Sequence, residues 1–248
     1  MRTSSEYRAD ARAKLSEKWG KAALISLGYF VVFFVLSLVE GLLSFSQTLK
    51  IIFSIALVVV EVPLAFGFII SYYKLFNGED VKAFDFLQSG FSSFKRAWLV
   101  SLNVLLKMIV PIIITVVGMI LFSSSIAVAG VSLLAGSSSL GGSVALAIIG
   151  GIIYSVGMIW STVKSYYYQL AYVVAIDNEE LSNKEVVAKC KEIMQGKRWK
   201  LFCLQLSFIG WAILASITFG IGMLWLIPYI QLSLVSFYED AIGKNTAE

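Results

Sequence analysis

The chain has no histidine, only two cysteines and only three prolines in 248 residues. Without histidine there is no imidazole general base, no Ser-His-Asp triad and no histidine metal ligand. Cys190 and Cys203 are too far apart to form a CxxC pair, and two thiols fall short of a four-ligand zinc site. Both read as reduced thiols in or near a reducing compartment, and no metal or cofactor is expected. Charge is scarce as well, at 15% Asp, Glu, Lys and Arg, where a soluble domain carries about 25%. Hydrophobic residues make up 58%, against roughly 45–50% in such a domain, and the mean hydropathy is +0.82. These values exclude a soluble enzyme, a disordered tail and a disulfide scaffold. No GxxxxGK[ST] loop occurs, so the chain does not itself drive transport by nucleotide hydrolysis.

What is present is apolar sequence in blocks. A spanning helix needs about 20 mostly apolar residues to cross roughly 30 Å of hydrocarbon. Six segments qualify: 22–39, 51–73, 98–122, 144–168, 201–219 and 221–238. The last two are separated only by a tight turn at Gly220 and form a hairpin. The expected architecture is all-α: a polytopic membrane bundle of six transmembrane helices in one integral membrane domain, residues 1–248.

Basic residues give the orientation, because cytoplasmic loops retain Lys and Arg. Eighteen of the twenty lie on one side: before span one, at the inner ends of or between spans two and three, at the inner ends of or between spans four and five (Lys164 included), or in the tail. The exceptions are Lys50, on the other side, and Lys107, within a span. Both termini are therefore expected in the cytoplasm, and the uncharged segment 123–143 outside. That segment has a short apolar centre at 126–135, which suits either a re-entrant cap or a loop. The net charge of +4 is explained by this asymmetry, so nucleic-acid binding is not expected. The charged lead before span one is too long for a cleaved signal peptide, and the span is expected to be retained.

The chain also reads as three tandem units, about 1–78, 79–177 and 178–248. Each has an amphipathic cytoplasmic helix, a basic residue, a span out and a span back. The runs Lys21-Ala22-Ala23-Leu24, Lys95-Arg96-Ala97-Trp98-Leu99 and Lys197-Arg198-Trp199-Lys200-Leu201 correspond. So do the exits Ser71-Tyr72-Tyr73, Ser165-Tyr166-Tyr167-Tyr168 and Ser236-Phe237-Tyr238. Duplication explains this pattern. So does the shared need for Lys, Arg, Tyr and Trp at the headgroups, which makes Lys95, Arg96, Lys197, Arg198 and Lys200 interface residues.

Thr3-Ser4-Ser5-Glu6 and Ser182-Asn183-Lys184-Glu185 are capping boxes that open two of the amphipathic helices. Their apolar faces are Tyr7, Ala11, Leu15 and Trp19 in the first, and Val186, Cys190, Ile193 and Met194 in the third. In the second unit Phe84, Leu87, Phe91 and Phe94 recur at helical spacing. Such helices either gather anionic headgroups or simply tuck against the inner surface and position the next span.

Few polar residues lie within the spans. Glu61 sits near the middle of span two, two residues before Pro63, and Asn103 and Lys107 are one turn apart on span three. Each charge costs about 2.5–3.5 kcal/mol at the bilayer centre even on lenient scales. Glu61 and Lys107 are therefore expected to approach in the bundle interior, as a proton- or ion-coupled site or as a pair that fixes helix register. Gln205 is a lesser candidate, suited to cross-linking helices.

The third unit carries a resemblance. It runs through Ala175-Ile176-Asp177, Leu181-Ser182, Ile193-Met194-Gln195-Gly196-Lys197, Leu206-Ser207-Phe208-Ile209-Gly210-Trp211, Thr218-Phe219-Gly220-Ile221-Gly222-Met223-Leu224-Trp225 and Pro228-Tyr229. With Ala13-Lys14-Leu15 and Lys18-Trp19-Gly20 near the start, it resembles the bacterial integral membrane family called domain of unknown function 975. Members often carry Pro-Gly where this chain has Ser161-Thr162. The resemblance implies a six-span protein of the bacterial cell membrane and brings no catalytic residues with it.

The leading functional expectation is a non-enzymatic membrane protein that handles or transports an amphipathic ligand, a lipid or a membrane-active peptide, among membrane lipids. The alternative is a structural or accessory subunit binding another membrane protein or transporter. An intramembrane enzyme ranks last, since Glu61 and Lys107 resemble a pair more than a catalyst.

Overall fold

The computed structural model describes residues 1–134 and 141–244, with Ser44 described by its backbone alone. Among the described residues every regular element is helical. In chain order these are α1 (Ser4–Leu15), α2 (Trp19–Leu42), α3 (Gln47–Phe76), α4 (Asp85–Ser92), α5 (Phe94–Leu134), α6 (Gly141–Ser165), α7 (Ala171–Asp177), α8 (Asn183–Met194), α9 (Arg198–Leu206), α10 (Ile209–Ile217) and α11 (Met223–Ala241), with a short 3-10 turn at Leu43–Phe45. Among the described residues five stretches are long and apolar enough to cross a membrane: Trp19–Leu42, Gln47–Phe76, Phe94–Leu134, Gly141–Ser165 and Arg198–Ile217, the last made of α9 and α10.

Two compact units emerge, Met1–Leu102 with Leu170–Glu248, and Asn103–Gln169. In the first, the buried residues of α2 all fall within 22–28 and those of α3 within 63–76. The rest of this hairpin is coated with exposed apolar side chains such as Phe34, Leu38, Leu42, Phe45, Ile52 and Ile55. A surface this apolar suits hydrocarbon rather than water, because lipid tails give no drive to bury it.

Pro63 shapes the middle of α3. Its ring nitrogen has no hydrogen to give the Val59 carbonyl. The Trp98 indole N–H takes that place, donating to Val59 O at 3.0 Å. Next to the kink, α4 crosses α3 backbone to backbone. A Cβ on Gly67 would overlap the Phe86 carbonyl, and one on Gly90 would overlap the carbonyl of Pro63. This crossing decides which face of α4 turns in. Phe86 and Gly90 are buried, whereas Phe84, Phe91 and Phe94 are exposed. The stripe of Phe84, Phe91 and Phe94 at helical spacing thus points outward, because the glycine contacts turn the Phe86–Gly90 face of α4 onto α3.

The capping boxes of α1 and α8 form as expected, and most of each expected apolar face is buried: Tyr7, Ala11 and Leu15 on α1, and Val186, Cys190 and Met194, joined by Val187, on α8. Trp19 instead opens α2 and is half-buried, as is Ile193. Gly196 and Gly220 hold positive φ at helix ends, +75° and +84°. α1 docks on α11 through polar bonds: the Tyr7 hydroxyl donates to Asp240 at 2.6 Å and Ser236 to Asp10, while the Tyr7 and Phe237 rings meet edge to face.

Three segments differ from expectation. α5 runs on to Leu134, so it is 41 residues and roughly 60 Å long rather than ending near residue 122. Ser123, Ser124 and Ser125 turn their hydroxyls onto the carbonyls of Ile120, Leu121 and Phe122, so the serine run caps its own helix without breaking it. The first part of the expected outer loop is therefore helix, and residues 135–140 lie outside the described residues. The fifth apolar stretch is interrupted at Ser207–Phe208, where Arg8 donates to the Ser207 carbonyl at 3.4 Å. The sixth expected span forms α11, which is not among the five stretches long and apolar enough to cross.

The second unit is a tight hairpin of α5 and α6. Gly150 and Gly157, two turns apart on α6, face the α5 backbone; a Cβ on Gly157 would come within 2.7 Å of the Thr115 nitrogen and Oγ1. Small residues let spanning helices approach this closely. Gly157→Leu is expected to lower stability by about 1–3 kcal/mol through overpacking, read as a drop in the detergent-solubilised unfolding midpoint. Trp98→Phe is expected to cost about 1 kcal/mol in the same assay, and clearly less in a Pro63→Ala background, where residue 63 regains its own N–H.

Candidate functional site

Four elements meet at the end of α7. The Asp177 carboxylate accepts from the Tyr73 hydroxyl at the end of α3, from the Tyr238 hydroxyl of α11 at 2.7 Å, and from Lys244 Nζ at 2.7 Å. Beside it, Asn178 donates from Nδ2 to the Tyr238 hydroxyl at 3.3 Å and accepts from Lys189 of α8. Arg96, at the start of α5, completes the joint. Its guanidinium donates to the carbonyls of Ala175, Asn178 and Leu181 at 2.7–3.2 Å, satisfying groups that the end of α7 leaves open. Burial alone would raise the Asp177 carboxyl; the bonds from Lys244, Tyr73 and Tyr238 together outweigh it and hold it below the usual aspartate range. On α8 the Cys190 thiol is pushed up to about 12 by burial, so it is inert rather than nucleophilic at neutral pH.

A groove lies between the start of α2 and the α10–α11 hairpin. It holds about 520 Å³ and is lined by Trp19, Trp211, Leu214, Ala215, Trp225, Leu226 and Tyr229, with Thr218 and Gly222 at the turn and Arg12 at the other end. The turn is fixed by the Thr218 hydroxyl, which accepts from the Gly222 N–H at 2.9 Å. Tyr229 is held from three sides: Trp19 and Phe208 pack edge-on at 6.1 and 5.1 Å, and Arg12 donates to its hydroxyl at 3.3 Å. The walls are aromatic and aliphatic, and the single charge is a guanidinium. Tryptophan on either arm of the Gly220 turn was the one sequence signal for this groove. Arg12 and Tyr229 are 217 residues apart, and no local pattern links them.

The expected site residues lie elsewhere. Glu61 belongs to the first unit and Lys107 to the second, and each side chain is exposed rather than buried. Glu61 shares a smaller cavity of about 250 Å³ with Glu40, Ser37 and Leu57, between α2 and α3. Asn103 and Gln205 are half-buried. Of the interface basic residues, Lys95 is exposed and Arg96 turns inward as described. Lys197 donates to the Ala241 carbonyl at 2.5 Å, Lys200 to the Met1 carbonyl at 3.0 Å, and Arg198 is half-buried. Among the described residues no group of three or more His, Cys, Asp or Glu is placed to hold a metal ion.

Because the native Asp177 carboxyl is lowered, its contribution to stability is fully present above the ordinary aspartate value, near pH 4. It is lost as the pH falls through the lower native value. Asp177→Asn is expected to cost about 1.5–3 kcal/mol at pH 7 and to flatten the acid limb of a stability–pH curve. Thermal unfolding between pH 3 and 7 checks both.

Comparison with curated proteins and with solved structures finds no match. The model of the family described as protein of unknown function, DUF975, matches residues 1–245. With nearly the whole length matched and five helices fit to cross a bilayer, the chain belongs to the DUF975 family.

Proposed function

We propose that this protein is a non-enzymatic, multi-pass protein of the bacterial cytoplasmic membrane that holds, or passes on, an amphipathic ligand. The aromatic groove carries this reading. Its volume of about 520 Å³ falls within the roughly 300–1,000 Å³ of small-molecule sites. Its apolar length suits one lipid chain, and Arg12 at its end suits an anionic head. In this reading both termini are cytoplasmic, as the distribution of Lys and Arg supports. The α9–α10 segment and α11 serve as the third of three hairpins, giving six spans.

Titration with a fluorescent fatty acid, detected by energy transfer from tryptophan, tests the groove. Saturable binding is expected in the detergent-solubilised protein, with affinity reduced tenfold or more in Trp211→Ala/Trp225→Ala, measured by the probe's own emission. Arg12→Gln is expected to weaken the fatty acid more than its methyl ester. Binding that does not saturate, or that ignores all three substitutions, overturns the reading. Co-purification of a second membrane polypeptide in its place would make the chain an accessory subunit.

A further inference from the structure

A third cavity, separate from the aromatic groove, opens where α3, α4, α5 and the α7–α8 connection meet, and holds about 600 Å³. Its lining changes character along its length. On α3, Phe66, Ile70 and Lys74 follow one another at four-residue spacing, so one stripe runs from apolar to cationic. Leu99 adds to the apolar end, and Lys95 of α5 to the cationic end. Ser89, Ser92 and Ser93 complete the polar part, opposite a single carboxylate, Glu179.

The partners of these groups tell what is missing. Many of the described serines return their hydroxyl to a helix carbonyl, as Ser92 does to Ser89 O. Among the described residues the hydroxyls of Ser89 and Ser93 have no such bond, and the ammonium groups of Lys74 and Lys95 have neither an ion pair nor a hydrogen bond. Arg96 also lines the cavity, but four of its five N–H donors are committed to the carbonyls of the α7 joint, so it supplies field more than bonds. Two uncommitted ammonium groups and two uncommitted hydroxyls thus converge on one space, against one carboxylate. Ammonium and hydroxyl donors gathered on one space favour an anion with several acceptor oxygens. The apolar wall beside them favours an anion that carries a chain.

We propose that this cavity binds a phosphate-bearing amphipath, with the phosphate between Lys74, Lys95, Ser89 and Ser93 and the first chain carbons along Phe66, Ile70 and Leu99. The chemistry needed is phosphate and chain together. A free phosphate meets only half of the lining, and an uncharged monoacyl lipid the other half.

Calorimetric titration of the solubilised full chain with three probes separates these sources: lysophosphatidic acid, the matching monoacylglycerol, and inorganic phosphate. Lysophosphatidic acid is expected to bind at least tenfold tighter than either of the others. Lys74→Gln/Lys95→Gln is expected to weaken it roughly tenfold or more, in line with the attraction of two surface cations. Ser89→Ala is expected to weaken it less. Both lysines are exposed, so an unchanged unfolding midpoint shows that the double variant is folded. Trp211→Ala/Trp225→Ala, in the other groove, should leave the difference between wild type and the lysine variant in place. Failure of the aromatic groove therefore does not remove this site. Equal binding of the monoacylglycerol, equal binding of inorganic phosphate, or indifference to the lysine substitutions would overturn the proposal.

Discussion

Everything at the basic end of the first unit depends on how one carboxylate is satisfied. Asp177 ends the short helix α7, largely hidden from solvent, and accepts from side chains of α3, α11 and the C-terminal tail. A buried carboxylate is costly unless its oxygens are bonded. Here the cost is offset by tyrosine hydroxyls that themselves need partners among packed rings. The same joint recruits Asn178 and Lys189, and Arg96 closes its carbonyls from the start of α5. Helix ends that would otherwise leave polar groups open are thereby tied to one another. The fixed joint then sets the walls of the cavity that Ala175, Ile176 and Glu179 line.

The other constraint is the contrast between this joint and the remainder of α2 and α3. From the middle of each helix onward, toward the turn at Leu43–Phe45, most side chains are apolar and many of them are exposed. Lipid tails are as apolar as these side chains, so nothing draws them together. Packing specificity is concentrated where polar bonds and glycine contacts supply it: the Asp177 joint, the α3–α4 crossing, and the Gly150–Gly157 face of α6.

How much of this could be read in advance follows from the range of each interaction. Capping boxes at Thr3–Glu6 and Ser182–Glu185, the positive-φ glycines at 196 and 220, and the apolar stretches are local, and the sequence shows them directly. The face of α4 was not legible, since helical spacing of Phe84, Leu87 and Phe91 does not say whether lipid or protein lies beside them. The answer came from Gly67 and Gly90, whose importance depends on two backbones meeting. The extension of α5 was hidden because serine reads as a loop former, although its hydroxyl can serve its own helix. Glu61 and Lys107 are rare charges within apolar stretches, yet both are exposed. The groove is not legible in the sequence, because it joins Arg12 and Trp19 to a hairpin some two hundred residues away.

An apolar, tryptophan-lined groove with one cation at its end is the feature on which the functional account rests. Native mass spectrometry of the full chain, released gently from its own membranes, tests that account most directly. A retained adduct of defined mass, chemically a lipid or other amphipath and lost from the Trp211→Ala/Trp225→Ala variant, is the result the account predicts. A bare polypeptide, or one carrying a second protein and no amphipath, would contradict it.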